Sequence, residues 1–188
     1  MKKYLLVLFS LMCLAQWYVP AAMIGEQERL LSNGKIFRFK TAPVDPSDPF
    51  RGKYITLSFE AETFKITPGQ PWDRNQNVFV VLKEDEDGFA AVADISTSPP
   101  GAETDFVEAE VMFSDEEMVR VRYPFERFYL EESKASEAEK MYWEANRNDS
   151  TQSAYAVVRI KNGKSALEDV KVNDQSIVEI VREMNEGN

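Results

Sequence analysis

At 188 residues, with 44% hydrophobic and 29% charged side chains, the chain is long enough for one buried core and short for two. A formal net charge of -10 argues against a nucleic-acid partner, whose phosphates need a basic face. Histidine is absent and Cys13 is the single cysteine, which removes imidazole bases, Ser-His-Asp arrangements, the common zinc sites and any intrachain disulfide.

Lys2 and Lys3 precede an uncharged run from Tyr4 through Ile24, whose 21 residues suit a membrane-crossing helix. Trp17 and Tyr18 fit an interfacial belt, while Gln16 and Pro20 weaken the span. The rival is a cleaved signal peptide: Leu5 to Ala15 is an acceptable apolar region and Val19-Pro20-Ala21 an acceptable cleavage site. The length of the run favours the anchor. Cys13 reads as a small apolar residue in lipid, and the bulky Met12 before it does not suit a lipoprotein site. Lys2 and Lys3 hold the N-terminus inside, Arg29, Lys35, Arg38 and Lys40 argue the reverse, and the reading favours a large domain outside.

Glu26 to Leu31 prolongs the helix by about two turns to a stop at Ser32-Asn33-Gly34. Ile36 to Thr41 alternates as a first strand. Pro43, Asp45, Pro46, Asp48 and Pro49 then make a stiff, non-helical turn, with the aspartates able to accept backbone amides. Arg51 and Gly52 lead into a predicted strand from Tyr54 to Thr63, with Ile55, Leu57 and Phe59 on its apolar face.

Thr67 to Asn75 is a loop in which Trp72 caps the core edge or makes an exposed contact. Val78 to Leu82 and Phe89 to Ala93 form a hairpin across Asp85-Glu86-Asp87-Gly88, an acidic turn without the ligand spacing of a calcium loop. Phe106 to Phe113 and Met118 to Tyr123 form a second hairpin, with Arg120 and Arg122 facing water. Phe125 to Leu130 leads into an amphipathic helix capped by Ser133 or Ser136, whose Tyr142 and Trp143 pack on the sheet. Tyr155 to Lys161 and Ala166 to Val172 flank an Asn162-Gly163 hairpin turn, and Ser176 to Met184 fits strand and helix equally.

Gly52-Lys53-Tyr54-Ile55-Thr56-Leu57-Ser58-Phe59, after its Pro-Val-Asp-Pro turn and Arg51, resembles the signature of the bacterial membrane-anchored GDYXXLXY family. Lys53 replaces the motif's acid and Phe59 its last tyrosine. Arg127 to Glu132, with Glu137 and Glu139, is similar to a second block of that family, and Ala156 to Leu167 to a third. The resemblance implies a retained anchor and, as partner, a multi-span membrane protein. It implies no activity, since the family is functionally uncharacterised.

The expected fold class is mainly β (α+β): an N-terminal transmembrane helix over residues 1–31, followed by an antiparallel β-domain over 35–188 with one amphipathic helix. The candidate binding residues are Pro43, Asp45, Pro46, Asp48, Arg51, Gly52, Tyr54, Leu57, Arg127, Tyr129 and Glu132, with Arg51 paired to Glu132 or Asp48 and Tyr54 beside them. A plainer reading makes Arg51, Asp45 and Asp48 the fittings of a tight turn. No cofactor or metal is expected, and the expected function is a non-enzymatic interaction or accessory module at a bacterial cell membrane. The alternatives are an unconventional hydrolase using carboxylates or a serine and lysine, and a secreted domain freed by signal cleavage. For the hydrolase, Ser32 and Ser47 lack the sequence context of a peptidase nucleophile, and the carboxylates are Asp45, Asp48, Glu131 and Glu132.

Overall fold

The computed structural model describes residues 2–42, 54–66, 72–101, 103–130, 138, 141, 142, 145 and 153–186. Helix α1 (Lys2–Asn33) runs unbroken through Pro20. It is the one helix among the described residues long and apolar enough to cross a membrane, a property that signal sequences share, and its apolar window buries nothing against the rest of the chain. Where α1 ends, Gly34 donates its N–H to the Leu30 carbonyl at 2.8 Å. A Cβ on Gly34 would lie 2.6 Å from that oxygen and 3.0 Å from Cβ of Arg159, so only glycine lets the helix end sit this close to the sheet.

Among the described residues eleven strands follow, in three antiparallel sheets. The first holds β1 (Lys35–Lys40), β9 (Ala154–Lys161), β10 (Lys164–Val172) and β11 (Gln175–Ser176), in that spatial order. The second runs β3 (Thr63–Lys65), β7 (Met118–Arg122), β6 (Phe106–Ser114), β4 (Asn77–Glu84), β5 (Ala90–Ser96). A two-stranded ribbon pairs β2 (Tyr54–Thr56) with β8 (Arg127–Tyr129). Alternating apolar residues from all three meet in one core: Phe37 and Phe39 from β1, Val158 and Ile160 from β9, Val78 and Val80 from β4, Val119 and Val121 from β7, and Ile55 from β2. The sheets are stitched by an antiparallel bridge from Thr41 to Phe59 and a parallel one from Val107 to Gly163. The chain is therefore mainly β with helices.

All three expected hairpins form. Asp85 accepts the N–H groups of Asp87 and Phe89 at 3.0 and 2.7 Å, so the acidic turn is held by its own first carboxylate. Asp115 does the same for Glu117 and Met118 at 2.8 and 2.7 Å. Asn162 and Gly163 take φ of 51° and 82°, the paired positive angles of a two-residue hairpin loop.

Two expectations change, and one left open is settled. The motif strand stops at Thr56 instead of running to Thr63: a short 3-10 turn at Glu60–Glu62 breaks it and returns the chain as β3. The break has a local cause, because the Glu62 carboxylate reaches back to the Phe59 N–H at 3.0 Å and to the Ser58 hydroxyl at 3.0 Å, closing a turn that competes with extension. Arg127–Tyr129, expected only as a lead into a helix, is strand β8, because it finds β2 as an antiparallel partner. The closing segment is helix α2 (Ile177–Glu186), which buries Ile177 and Val181 on one face. Ala138, Met141, Tyr142 and Ala145 are helical as expected, and Tyr142 is fully buried. Trp72 packs against the core with its indole N–H buried, as a core-edge cap.

Candidate functional site

The ribbon of β2 and β8 carries the described part of the motif. Its register sets Tyr54 opposite Tyr129 and Ile55 opposite Phe128. The alternation of side chains sends Ile55 into the core, fully buried, and keeps Tyr54 and Tyr129 on the outer side. There the two rings meet at 5.4 Å between centroids, tilted by 55°. The Arg127 guanidinium lies 5.1 Å from the Tyr54 ring centroid, within cation-π range. Tyr129 remains 66% exposed, so this aromatic and cationic cluster faces solvent. A hydrogen bond from Arg127 to Tyr129, aided by the charge of neighbouring groups, holds the guanidinium protonated above its ordinary range.

Among the described residues, the motif's other named positions, Leu57 and Phe59, point inward. Leu57 is 2% exposed and donates its N–H to the Glu126 carbonyl at 2.7 Å. Phe59 packs with Phe39, Tyr123 and Phe125, at ring distances of 5.6, 6.2 and 5.4 Å. A phenylalanine here brings no hydroxyl needing a partner in that aromatic cluster, which is the local sense of its replacing the motif's tyrosine.

Next to the ribbon sits a charged seam that the sequence reading did not single out. Glu62, 8% exposed, accepts from Phe59 and Ser58 and lies 3.4 Å from an Arg120 guanidinium nitrogen. Burial pushes its carboxyl above the usual carboxylate range against the opposing pull of those donors. Arg122 stands 3.6 Å from both Glu110 and Glu126, and Glu126 also approaches Arg127 at 3.8 Å. Glu62, Phe113, Arg120, Arg122 and Glu126 line a cleft of about 360 Å³. Arg120 and Arg122 thus face outward as expected and also pair with acids on the 3-10 turn, on β6 and just before β8. The available signal for Glu62 was its spacing three residues after Phe59, half of a capping box.

Of the predicted site residues, the structure brings Tyr54, Arg127 and Tyr129 together and turns Leu57 into the core. Pro43, Asp45, Pro46, Asp48, Arg51, Gly52 and Glu132 lie outside the described residues, as do the expected pairings of Arg51. Ser133, Ser136, Trp143, Ser47 and Glu131 also lie outside. Ser58, the described serine of the motif strand, donates to Glu62. Among the described residues no three His, Cys, Asp or Glu side chains converge as a metal site.

The sequence profile of the GDYXXLXY proteins matches residues 16–170, from the second half of α1 to Val170 within β10. The chain belongs to the GDYXXLXY family. No curated protein and no solved structure matches it. The three sequence blocks compared with that family fall on definite strands of this chain. The first block supplies β2 and the core anchors Leu57 and Phe59, the second supplies β8, and the third supplies β9 with its turn into β10. The first two blocks supply the two strands of one ribbon, whose paired residues stand 71 to 75 positions apart in sequence.

Proposed function

We propose that this GDYXXLXY protein is a single-pass, membrane-anchored interaction module of a bacterial cell envelope, without catalytic activity of its own. Its β-rich part stands on the outer side of the membrane and docks a multi-span membrane protein through the ribbon face of Tyr54, Arg127 and Tyr129. The observation that carries this reading is the exposed Tyr129 held against Tyr54 and Arg127 on the motif strand and its neighbour. Tyrosine and arginine dominate the few residues that carry binding energy at protein interfaces, and rings fixed before contact lose little entropy on docking. Helix α1 supports the anchoring half, since its apolar length exceeds what a signal sequence needs and it packs on the sheets only at its C-terminal end.

The test is photo-crosslinking in membranes from a probe placed at Tyr129. The expected outcome is one multi-span protein trapped specifically, lost in Arg127→Ala while thermal stability is kept. Trapping of unspecific neighbours only, or equal loss of folded protein in Arg127→Ala, would count against a docking role.

A further inference from the structure

We propose that the groove where α1 meets the turn between β9 and β10 binds one anionic phospholipid, its phosphate between Arg29 and Lys161 and an acyl chain along α1. This rests on the membrane-anchored reading. The groove encloses about 820 Å³. One wall is a single face of α1, formed by Tyr18, Ala21, Ala22, Gly25 and Arg29 at three- and four-residue spacing; the other is Lys161 and Lys164 on either side of the hairpin turn.

Depth selects the ligand. The uncharged run ends at Ile24, and Arg29 stands roughly 7 Å further along the helix axis, within the headgroup layer that adds about 5–7 Å to each side of the hydrocarbon. With the uncharged run ending at Ile24, Tyr18 sits about 9 Å inside it, below the interfacial level that its residue type alone suggests, and with Ala21 and Ala22 lies beside the upper part of an acyl chain. A Cβ built on Gly25 meets nothing within 4 Å, so the groove is open at the height where glycerol would sit.

Charge selects the class. The chain as a whole carries -10, yet this groove is lined by three cations against one carboxylate, Glu26. Lys164 is paired with Glu26, and elsewhere Lys35, Lys40, Arg122 and Arg159 are each paired with acids. Arg29 and Lys161 have no ion pair among the described residues. Two unneutralised cations held at phosphate depth match an anionic lipid and discriminate against a zwitterionic one. The close seat of Gly34 against Leu30 and Arg159 fixes the helix wall relative to the turn, so the backbone on both sides of the groove is set before a lipid arrives.

The full chain is reconstituted into nanodiscs of equal dioleoylphosphatidylcholine and dioleoylphosphatidylglycerol, and lipids retained after release are counted by native mass spectrometry. The expected result is one retained phosphatidylglycerol per chain. Arg29→Gln with Lys161→Gln should weaken that retention on the order of 30-fold, the worth of two cations at the surface. Gly25→Leu, which fills the groove without changing charge, should abolish it. Equal retention of both lipids, or phosphatidylglycerol retention that survives either variant, overturns the site. Flotation with pure phosphatidylcholine vesicles separates the two readings: a chain that floats but retains no phosphatidylglycerol keeps its anchor and loses this site, whereas one that does not float loses both.

Discussion

Glu62 is the residue whose environment departs most from what its type prefers. A carboxylate at 8% exposure survives because Phe59, Ser58 and Arg120 supply donors, and the turn it closes ends the motif strand. Glu62→Ala leaves the Phe59 N–H and the Ser58 hydroxyl without that acceptor and should cost about 1–3 kcal/mol in denaturant titration of the full chain in detergent. The pH dependence has a definite sign. Burial raises the folded carboxyl above its ordinary value of 4.5, so the folded chain keeps this proton to higher pH than the unfolded chain. The stabilisation from this group is complete below about pH 4.5 and is lost as pH rises through the folded value. Glu62→Gln should flatten that decline, and an unchanged pH profile would mean that another group governs it. Gly163 makes a second prediction, since its φ of 82° is left-handed and an added Cβ would lie 2.7 Å from the Phe106 ring. Gly163→Ala should lower stability by at least about 1–2 kcal/mol from the backbone angle alone, read as a fall in melting temperature.

The β2–β8 ribbon is the element where structure and proposed function meet. It is short, three residues a side, and its inward residue Ile55 is fully buried under the outward Tyr54 and Tyr129. The two faces separate experimentally. Ile55→Ala removes core atoms and should destabilise by about 2–5 kcal/mol. Tyr129→Ala removes an exposed ring, and its stability should stay within about 0.5 kcal/mol of the parent. If Tyr129→Ala retains both stability and partner capture, the ribbon is scaffold alone. Sequence alternation placed Ile55, Leu57 and Phe59 inward correctly, because a period of two survives even where the strand is interrupted. It missed the interruption, since the competing turn depends on one carboxylate reaching backward. It also missed β8, because a three-residue strand has too little pattern of its own and is defined by the partner it pairs with.

For the molecule as a whole, the consequential question is whether α1 stays attached. The mature protein is expected to keep the mass of the full chain and to partition with membranes after alkaline washing. A mature chain beginning near Ala22 and recovered in the soluble fraction would replace the anchor with a signal peptide. Such cleavage would also remove Tyr18 and Ala21 from the helix wall beside Lys161, and leave the helix end held by Leu30 and Gly34 with little else.

The amino-acid sequence alone determined the apolar leader, the turns at Asp85–Gly88, Asp115 and Asn162-Gly163, the inward face of the motif strand and membership of the GDYXXLXY family. Each of these is written in contiguous residues, as a run, a period or a backbone angle that few side chains accept. Only the tertiary structure decided that Tyr54 and Tyr129 are neighbours, that Glu62 meets Arg120, and that Lys161 faces Arg29 across a groove. These pairs join residues 58 to 132 positions apart, and such contacts depend on how sheets close over a common core, a choice that no local pattern encodes.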